Sequence, residues 1–346
     1  MELALYCPVY GYYEKEEDTI GHTGDYYTSV SVGPLFGELL ARQFAAWLED
    51  LPHRGKKLQI VEAGAHRGQL AQDILRWLGA NRPRLIERLL YILAEPSARR
   101  REWQRQNLLE FAAHVRWVEA LPIENGVSGL IFCNELLDAM PVHRVGWEAR
   151  KRTWFEWGVT MNGGSFVWTK MEPDSVIFDL VRQRFGGSDV LSDWLPDGFV
   201  VELCPAAENW WTEAAKALHT GKLLTIDYGL TTEHLLMPER REGTLRAYHR
   251  HQSSSDVLSW PGDQDITAHV NFSALQLAGE TAGLTTELCT TQSRFLTSIA
   301  ASLWKSEGSN NWTPAHTRQF QTLTHPDHLG EKFRVLVQSK FCQTGR

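Results

Sequence analysis

The sequence predicts a doubly wound α/β fold, in which helices cover both faces of a mostly parallel sheet. From residue 57 onward, short apolar runs alternate with helical stretches. The first run also feeds a glycine-containing turn that leads directly into a helix. The predicted strands lie at residues 58–61, 89–94, 129–133 and 223–226. Buried strands that alternate with helices in this way are typical of a parallel sheet.

Two further regions flank or interrupt this pattern. Residues 1–33 are rich in tyrosine and glycine, and apolar residues at helical spacing then predict a helix over 35–48. Aromatic residues on both sides of Asn162-Gly163-Gly164 predict a β-hairpin. We therefore predict an N-terminal extension at 1–55, a core at 56–145 and 198–346, and an inserted hairpin and helix subdomain at 146–197. Residues 243–265 are polar and are expected to form a long functional or disordered loop.

The composition excludes several function classes. The chain has 346 residues, 43% hydrophobic and 22% charged, which is enough to bury a sizeable core. Its net charge of -7 argues against a nucleic-acid partner, because neutralising phosphates requires clustered Lys and Arg. The five cysteines lie far apart, so we expect no metal site, no disulfide framework and a reducing, cytoplasmic location. No apolar stretch reaches the length of a membrane span, and we expect no membrane insertion.

A glycine-containing turn follows the first predicted strand, at residues 62–68 (EAGAHRG). Glycine lets the backbone approach a ligand closely, and the next helix adds free N–H groups and the positive end of its dipole. This pattern suits a nucleoside or a carboxylate. A dinucleotide fingerprint needs three glycines, but counting from Gly64 places His66 and Gln69 at the second and third positions. NAD is therefore excluded, and the sequence contains no P-loop motif.

Glu95 follows the second predicted strand, at the carboxyl edge of the sheet beside the Gly64 turn. A carboxylate there accepts hydrogen bonds from ribose hydroxyls. Taken alone, Glu95 is more typical of an acid that caps the following helix. Its pairing with the Gly64 turn favours the ribose ligand, which is our prediction.

Polar residues also follow the later strands. Asn134, Glu135 and Asp138 come after the strand at 129–133, where the crevice of a doubly wound sheet lies. The alternative is that Asn134 caps a short helix whose dipole favours Glu135 and Asp138. Asp227 follows the strand at 223–226 and fits either a turn acid or the same crevice. The residues alone leave these alternatives open.

A series of short motifs runs along nearly the whole chain. They lie at residues 1–6, 10–13, 24–29, 34–37, 61–68, 134–143, 202–205, 227–229, 243–248, 265–270 and 329–337. In this order they resemble the MidA family, which includes the mitochondrial complex I assembly methyltransferase and its bacterial relatives. The resemblance implies a Rossmann-like class I methyltransferase fold with S-adenosylmethionine as cofactor. It also implies a protein substrate, an arginine side chain of a respiratory-complex subunit.

Individual residues are expected to have roles in such a site. Cofactor contacts are expected from Asp25, Tyr27, Thr28, Glu62, Gly64, Gly68, Glu95 and Asn134. Catalytic roles are expected for Asn134, Glu135, Asp138 and Asp227. The loop with Asp25 and Tyr27 is expected to close over the cofactor, with ordinary aromatic packing as the alternative.

Methyl transfer from a sulfonium needs an in-line nucleophile near the methyl carbon, so the site must position the cofactor and the substrate. We expect that it requires no metal. A guanidinium is protonated and a poor nucleophile, so carboxylates must hold its fork and localise its charge. We expect Glu135 and Asp138 to do this.

The chain departs from the family pattern at three motifs. His66 replaces the middle glycine of the first motif, and Ser31 and Asn271 replace acids elsewhere. We expect the His66 side chain to point away from the cofactor. Two alternatives stay open: a small-molecule methyltransferase with Glu135 as general base, and a non-catalytic scaffold that presents the hairpin to a partner.

Overall fold

The structure is a computed structural model that describes residues 1–15, 28–51, 57–124, 126–185, 194–249, 252–307 and 312–341. The chain divides into two compact units. The small-sheet unit comprises Met1–Tyr26, Leu137–Asn209 and Gly229–Leu275. The large-sheet unit comprises Tyr27–Leu136, Trp210–Tyr228 and Gln276–Arg346. The predicted insert at 146–197 therefore falls wholly within the small-sheet unit.

The described residues form helices and strands that we number in chain order. The helices are α1 (Glu2–Tyr6), α2 (Leu35–Glu49), α3 (Gln69–Asn81), α4 (Pro83–Ile86), α5 (Ala98–Asn107), α6 (Ser175–Phe185), α7 (Pro205–Ala217), α8 (Thr232–Leu235), α9 (Phe272–Thr281), α10 (Gln292–Glu307) and α11 (Pro314–Thr324). The strands are β1 (Leu58–Ala63), β2 (Leu89–Ala94), β3 (Val115–Val118), β4 (Val127–Asn134), β5 (His143–Glu148), β6 (Thr153–Asn162), β7 (Ser165–Met171), β8 (Val200–Leu203), β9 (Leu218–Leu230), β10 (Arg246–His249), β11 (Gln252–Ser254), β12 (Asp265–Thr267), β13 (Val270–Asn271), β14 (Thr285–Thr291) and β15 (Phe333–Lys340).

The large-sheet unit is built on a sheet with the strand order β14-β15-β9-β4-β1-β2-β3. Strands β3, β2, β1, β4 and β9 are parallel, whereas β15 runs antiparallel to both β9 and β14. The four predicted strands are confirmed as β1, β2, β4 and β9. The chain passes from β1 to β2 and β3 on one side and then returns to β4 on the other. Doubly wound sheets bind ligands at such a reversal of strand order, here between β1 and β4.

Helices pack on this sheet through their apolar faces. The predicted helix at 35–48 is confirmed as α2, where Phe36, Leu40 and Phe44 recur at helical spacing and are fully buried. The Phe44 ring lies 5.1 Å from the ring of Phe132 on β4, measured between centroids. The apolar face of α3 is buried in the same core as α2 and β1. Nearly all residues of β1 are buried, as expected for a strand covered on both faces.

The small-sheet unit contains two antiparallel sheets, with strand orders β7-β6-β5-β8 and β11-β10-β12. The predicted hairpin is confirmed: β6 and β7 pair up to Asn162 and Ser165. Gly163 and Gly164 have φ values of 58° and 84°. A tight two-residue hairpin turn requires positive φ at both central residues, and the Gly163-Gly164 dipeptide meets this requirement.

The prediction that residues 243–265 form one long loop is wrong, and a functional role for this segment stays a prediction. This segment contains β10 and β11, and Asp265 begins β12. The strands are only three or four residues long, and Ala247 and Ile266 are the buried apolar residues at their centres. One apolar residue per strand is too few to produce a detectable alternation.

Within the described part of the chain, no helix combines the length and the apolar character needed to cross a membrane.

Candidate functional site

The turn after β1 has an unusual backbone conformation. Gly64, His66 and Gly68 have φ values of 74°, 47° and 81°. A Cβ atom at Gly64 would lie 2.9 Å from Cδ1 of Leu136, so only glycine fits without a shift of that side chain. Gly68 is the N-cap of α3, and the first turn of α3 contains no acidic residue. The turn therefore presents a helix N-terminus whose N–H groups suit an acceptor on a ligand.

His66 adopts the left-handed conformation that the family's glycine would accept more readily. Its ring lies edge-on to Trp103 of α5, with centroids 6.2 Å apart. The Arg67 guanidinium lies 4.6 Å above the same indole ring. The turn is thus packed against α5. The orientation of His66 relative to a bound cofactor stays a prediction.

Glu95 directly follows β2 and is only 2% exposed. Its Oε1 accepts a hydrogen bond from Ser97 N (2.9 Å), and its Oε2 accepts one from Gln104 Nε2 (3.3 Å). The N-cap of α5 is Ser97, whose Oγ accepts from Arg100 N. The carboxylate is therefore held in place at the carboxyl edge of the sheet.

Sequence reasoning missed Gln104. Its Nε2 also donates to the His66 carbonyl (2.9 Å), while its Oε1 accepts from Trp117 Nε1 (3.0 Å). Gln104 thereby links Glu95 to the turn after β1. It is fully buried although it lies in a run of polar residues on α5, so the sequence carried no signal of its position.

Glu62 lies on β1, 2% exposed, and its Oε2 accepts a hydrogen bond from the Tyr91 hydroxyl at 2.6 Å. Burial raises the pKa of the Glu62 carboxyl from 4.5 to about 7, and the Tyr91 hydrogen bond partly offsets this effect. Tyr91 was not singled out in the sequence because it sits within an apolar strand. A cofactor contact by Glu62 stays a prediction.

Asn134 and Glu135 lie where β4 ends. Glu135 has a φ of 51°, and its Oε1 accepts hydrogen bonds from Ser29 N (2.9 Å) and Asn134 Nδ2 (3.0 Å). Strained backbone of this kind persists only where surrounding contacts hold it, and it concentrates at functional sites. Asn134 Oδ1 is buried and has no hydrogen-bond partner among the described residues. An orphaned buried acceptor of this kind indicates a missing donor.

Burial raises the pKa of the Glu135 carboxyl from 4.5 to about 8, despite the hydrogen bonds from Ser29 and Asn134. Asp227, which is fully buried, adds to the increase through its charge. The Asp227 carboxylate accepts hydrogen bonds from Leu136 N (3.1 Å) and Tyr228 N (2.8 Å). Asp227 was predicted to follow its strand, but it lies within β9, which continues to Leu230. Its carboxylate holds the chain immediately after Glu135.

The remaining predicted residues are Thr28, Asp25, Tyr27 and Asp138. Thr28 is buried and forms a turn with Ser31, in which Thr28 N donates to Ser31 Oγ and Ser31 N to Thr28 Oγ1. Asp25 and Tyr27 lie outside the described residues. Asp138 belongs to the small-sheet unit, where its carbonyl accepts from Ala268 N.

These groups fit S-adenosylmethionine. The turn after β1 offers helix N–H groups, Glu95 offers a buried carboxylate for ribose hydroxyls, and Asn134 Oδ1 lacks the donor that an amino group would supply. Parallel pairing of β1 with β2 and β4 brings the three to one edge of the sheet. The fold and this site together define the class of protein: an α/β enzyme that binds a nucleoside cofactor.

Comparison with known proteins identifies the family. A model of S-adenosyl-L-methionine-dependent methyltransferases matches residues 39–290, and the chain belongs to this family. A Burkholderia thailandensis protein crystallised with S-adenosyl-homocysteine is 32% identical, with a TM-score of 0.84 over 98% of this chain and 86% of its own. Two relatives are named protein arginine methyltransferase NDUFAF7, mitochondrial. The Xenopus laevis protein is 28% identical over 96% of this chain and 78% of its own, and the human protein is 26% identical over 100% and 80%.

These findings confirm the predicted family, fold class and cofactor. The protein is a methyltransferase, and S-adenosylmethionine is its methyl donor.

We predict that Glu95→Ala weakens S-adenosylmethionine binding at least about tenfold, because hydrogen bonds to a charged acceptor contribute roughly 1.5–3 kcal/mol each. Isothermal titration of the folded variants measures this. Glu102→Ala is the matched control, because Glu102 is an exposed glutamate on α5, the helix that follows Glu95. This variant should bind S-adenosylmethionine like the wild type. Equal affinities of Glu95→Ala and the control would remove Glu95 from the cofactor site.

We also predict a specific pH dependence of stability. The folded-state pKa of Glu62, about 7, lies above the ordinary value of 4.5 in the unfolded chain, so the folded protein binds more protons between these values. The protonated Glu62 carboxyl therefore stabilises the folded protein fully below the pKa of the unfolded chain. This stabilisation is lost as the pH rises through the pKa of the folded protein, about 7. Raising the pH from about 5 to about 8 should lower the unfolding free energy of the wild type more than that of Glu62→Gln. The difference between the two decreases should reach up to about 3 kcal/mol.

Urea unfolding at the two pH values checks this prediction. Contributions from other groups, Glu135 included, cancel in the comparison between variant and wild type. Glu87→Gln, an exposed change in the same unit, serves as control. Parallel pH dependence of Glu62→Gln and wild type would show that Glu62 titrates normally.

Proposed function

We propose that this methyltransferase acts on an arginine side chain of a protein substrate, in the first instance a respiratory-complex subunit. The observation that carries the proposal is the carboxyl of Glu135, held in a strained backbone position at the reversal of strand order. The names of the NDUFAF7 relatives at 26% and 28% identity support the substrate class. The net charge of -7 is favourable for a basic substrate.

When bound, S-adenosylmethionine supplies an electrophilic methyl group on a sulfonium. The residues of the chain supply binding and orientation. Glu95 would hold the ribose, and Asn134 Oδ1 would accept a hydrogen bond from the amino group. Most of the rate enhancement then comes from fixing two bound molecules in line.

Glu135 acts on the substrate in this proposal. Its Oε1 is oriented by Ser29 N and Asn134 Nδ2, so the carboxyl group is fixed before substrate arrives. With a pKa of about 8, the free carboxyl is mostly protonated at neutral pH. A guanidinium at this position favours the ionised form, so substrate binding releases a proton to solvent. The resulting carboxylate localises the guanidinium charge away from the attacking nitrogen.

Asp227 is a positioning residue here, because its carboxylate holds the backbone of Leu136 and Tyr228. The catalytic role of Asp138 stays a prediction. So does a cytoplasmic location, which we propose from the cysteine spacing.

A second candidate function is methylation of a small molecule. The raised pKa of Glu135 favours it, since a carboxyl with a pKa of about 8 is suited to act as general base on a hydroxyl or amine near neutral pH. Mapping of the methylated product distinguishes methylation of a small molecule from methylation of a protein arginine.

We predict that kcat/KM of the wild type rises with pH through about 8, because the ionised Glu135 must engage the substrate. Glu135→Gln should lower kcat/KM at least about 100-fold and abolish this rise. Its affinity for S-adenosylmethionine should change less than about threefold, because the lost charge acts on substrate and transition state. Glu87→Gln is the exposed control.

The assay uses methyl-labelled cofactor with a lysate from cells lacking this protein, followed by mapping of labelled residues. Labelled arginine supports the proposal, whereas label confined to small molecules supports the second candidate. Full activity of folded Glu135→Gln would remove Glu135 from the mechanism. Loss of both cofactor binding and activity in Glu135→Gln would point to a general disturbance of the fold instead.

A further inference from the structure

The small-sheet unit contains a cavity of about 320 Å³ that is lined by none of the residues assigned above. Trp157 on β6 and Trp168 on β7 contribute indole surface to it. Arg144, Arg241 and Arg246 contribute guanidinium groups. Its volume lies at the small end of the range for small-molecule sites, about 300–1,000 Å³. Aromatic walls with a few convergent charged groups are typical of such sites.

The charges at this cavity do not balance. Glu242 is the acid among the lining residues, and the buried Glu202 lies behind Arg144, with Oε1 3.6 Å from Arg144 Nε. The other oxygen of Glu202 accepts hydrogen bonds from Thr244 N (2.7 Å) and Thr244 Oγ1 (3.0 Å). Glu202 therefore pairs with Arg144, and three arginines face two carboxylates, which leaves an excess of one positive charge.

The guanidinium groups are held in place before any ligand arrives. Arg144 Nη2 donates to the carbonyl of Glu242 (3.0 Å), and its guanidinium lies 4.8 Å above the Trp168 ring. Arg246 Nη1 donates to the carbonyl of Leu245 (2.7 Å). A planar fork that is already oriented loses little freedom when it binds an oxyanion.

One donor at this wall lacks an acceptor. Trp157 Nε1 is buried and makes no hydrogen bond within the described part of the protein. The buried Arg144 Nε faces Glu202 Oε1 at 3.6 Å, so the ion pair with Glu202 accounts for this atom. A buried donor without an acceptor is uncommon, and here Trp157 Nε1 points to a ligand that carries an oxygen acceptor.

We propose that this cavity binds a small organic anion. Its carboxylate or phosphate group is held by Arg144 and Arg246, and its apolar or planar body lies against Trp157 and Trp168. The exposed Arg241 attracts the anion at the rim. This site is independent of the methyl-transfer proposal, because every residue involved belongs to the small-sheet unit.

Fluorine NMR of the protein labelled with 5-fluorotryptophan tests the proposal. The resonances of Trp157 and Trp168 are assigned with Trp157→Phe and Trp168→Phe. The probes are phenyl phosphate, benzoate, inorganic phosphate and, as a neutral match, phenol. Phenyl phosphate or benzoate should shift both resonances saturably, and phenol should bind at least about tenfold more weakly. Whichever anionic probe binds more tightly identifies the phosphate or carboxylate as the preferred group.

Arg246→Gln should weaken the binding of the preferred probe at least about tenfold. Arg241→Gln, an exposed change, keeps the test decisive if Arg246→Gln does not fold, and it should weaken binding more than Arg150→Gln. Arg150 is an exposed arginine of the same unit that does not line the cavity, so its change is the matched control. Unmoved tryptophan resonances, equal binding of phenol and phenyl phosphate, or identical affinities of Arg241→Gln and Arg150→Gln would each overturn the proposal.

Discussion

The parallel pairing of β1 with β4 is the constraint on which the methyltransferase site depends. It places Ala63 opposite Cys133, so that both chain segments leave the sheet side by side. Each segment then turns through the left-handed region, at Gly64 and at Glu135. The close approach of Gly64 to Leu136 leaves no room for a side chain at the first position unless Leu136 shifts. The strain at Glu135 is retained because its N–H donates to the Ile226 carbonyl and its carboxyl accepts from Ser29.

Carboxyl groups dominate the electrostatics of this region. Glu62 and Glu135 have pKa values raised to about 7 and about 8 by burial, and Glu95 is buried at the end of the neighbouring strand. Such groups favour cationic ligands, because a nearby positive charge recovers part of the cost of ionising a buried acid. The sulfonium of the cofactor and the guanidinium of the proposed substrate are both cations. The same acids therefore suit both reactants.

The parts of the fold that the sequence predicted are those with strong local signals. Continuous apolar runs indicated β1, β2, β4 and β9, and Asn162-Gly163-Gly164 indicated the β6–β7 hairpin. The short strands β10 and β11 were predicted as part of a loop, because they contain too few buried apolar residues to show an alternation. Their pairing is a tertiary effect that no local period reveals. The division into two units also depends on contacts between distant segments, which a single sequence does not contain.

The candidate site shows the same limit. Asn134, Glu135 and Glu95 were predicted because strand ends in doubly wound sheets face a ligand crevice. Gln104 and Tyr91 were missed, although they bind Glu95 and Glu62 directly. In the sequence, Gln104 looks like a solvent-facing helix residue, and Tyr91 looks like a core residue of a strand. Supporting residues of this kind become visible only when the tertiary contacts are known.

Hydrogen exchange of the folded protein with and without S-adenosylhomocysteine tests the central claim, that the edge between β1, β2 and β4 holds the cofactor. The account predicts slower exchange of backbone amides at 62–70, 95–104 and 134–136 when the ligand is bound. Amides of β6 and β7 in the small-sheet unit should be unaffected. Saturating ligand with unchanged exchange at all three segments, or protection confined to β6 and β7, would contradict the account.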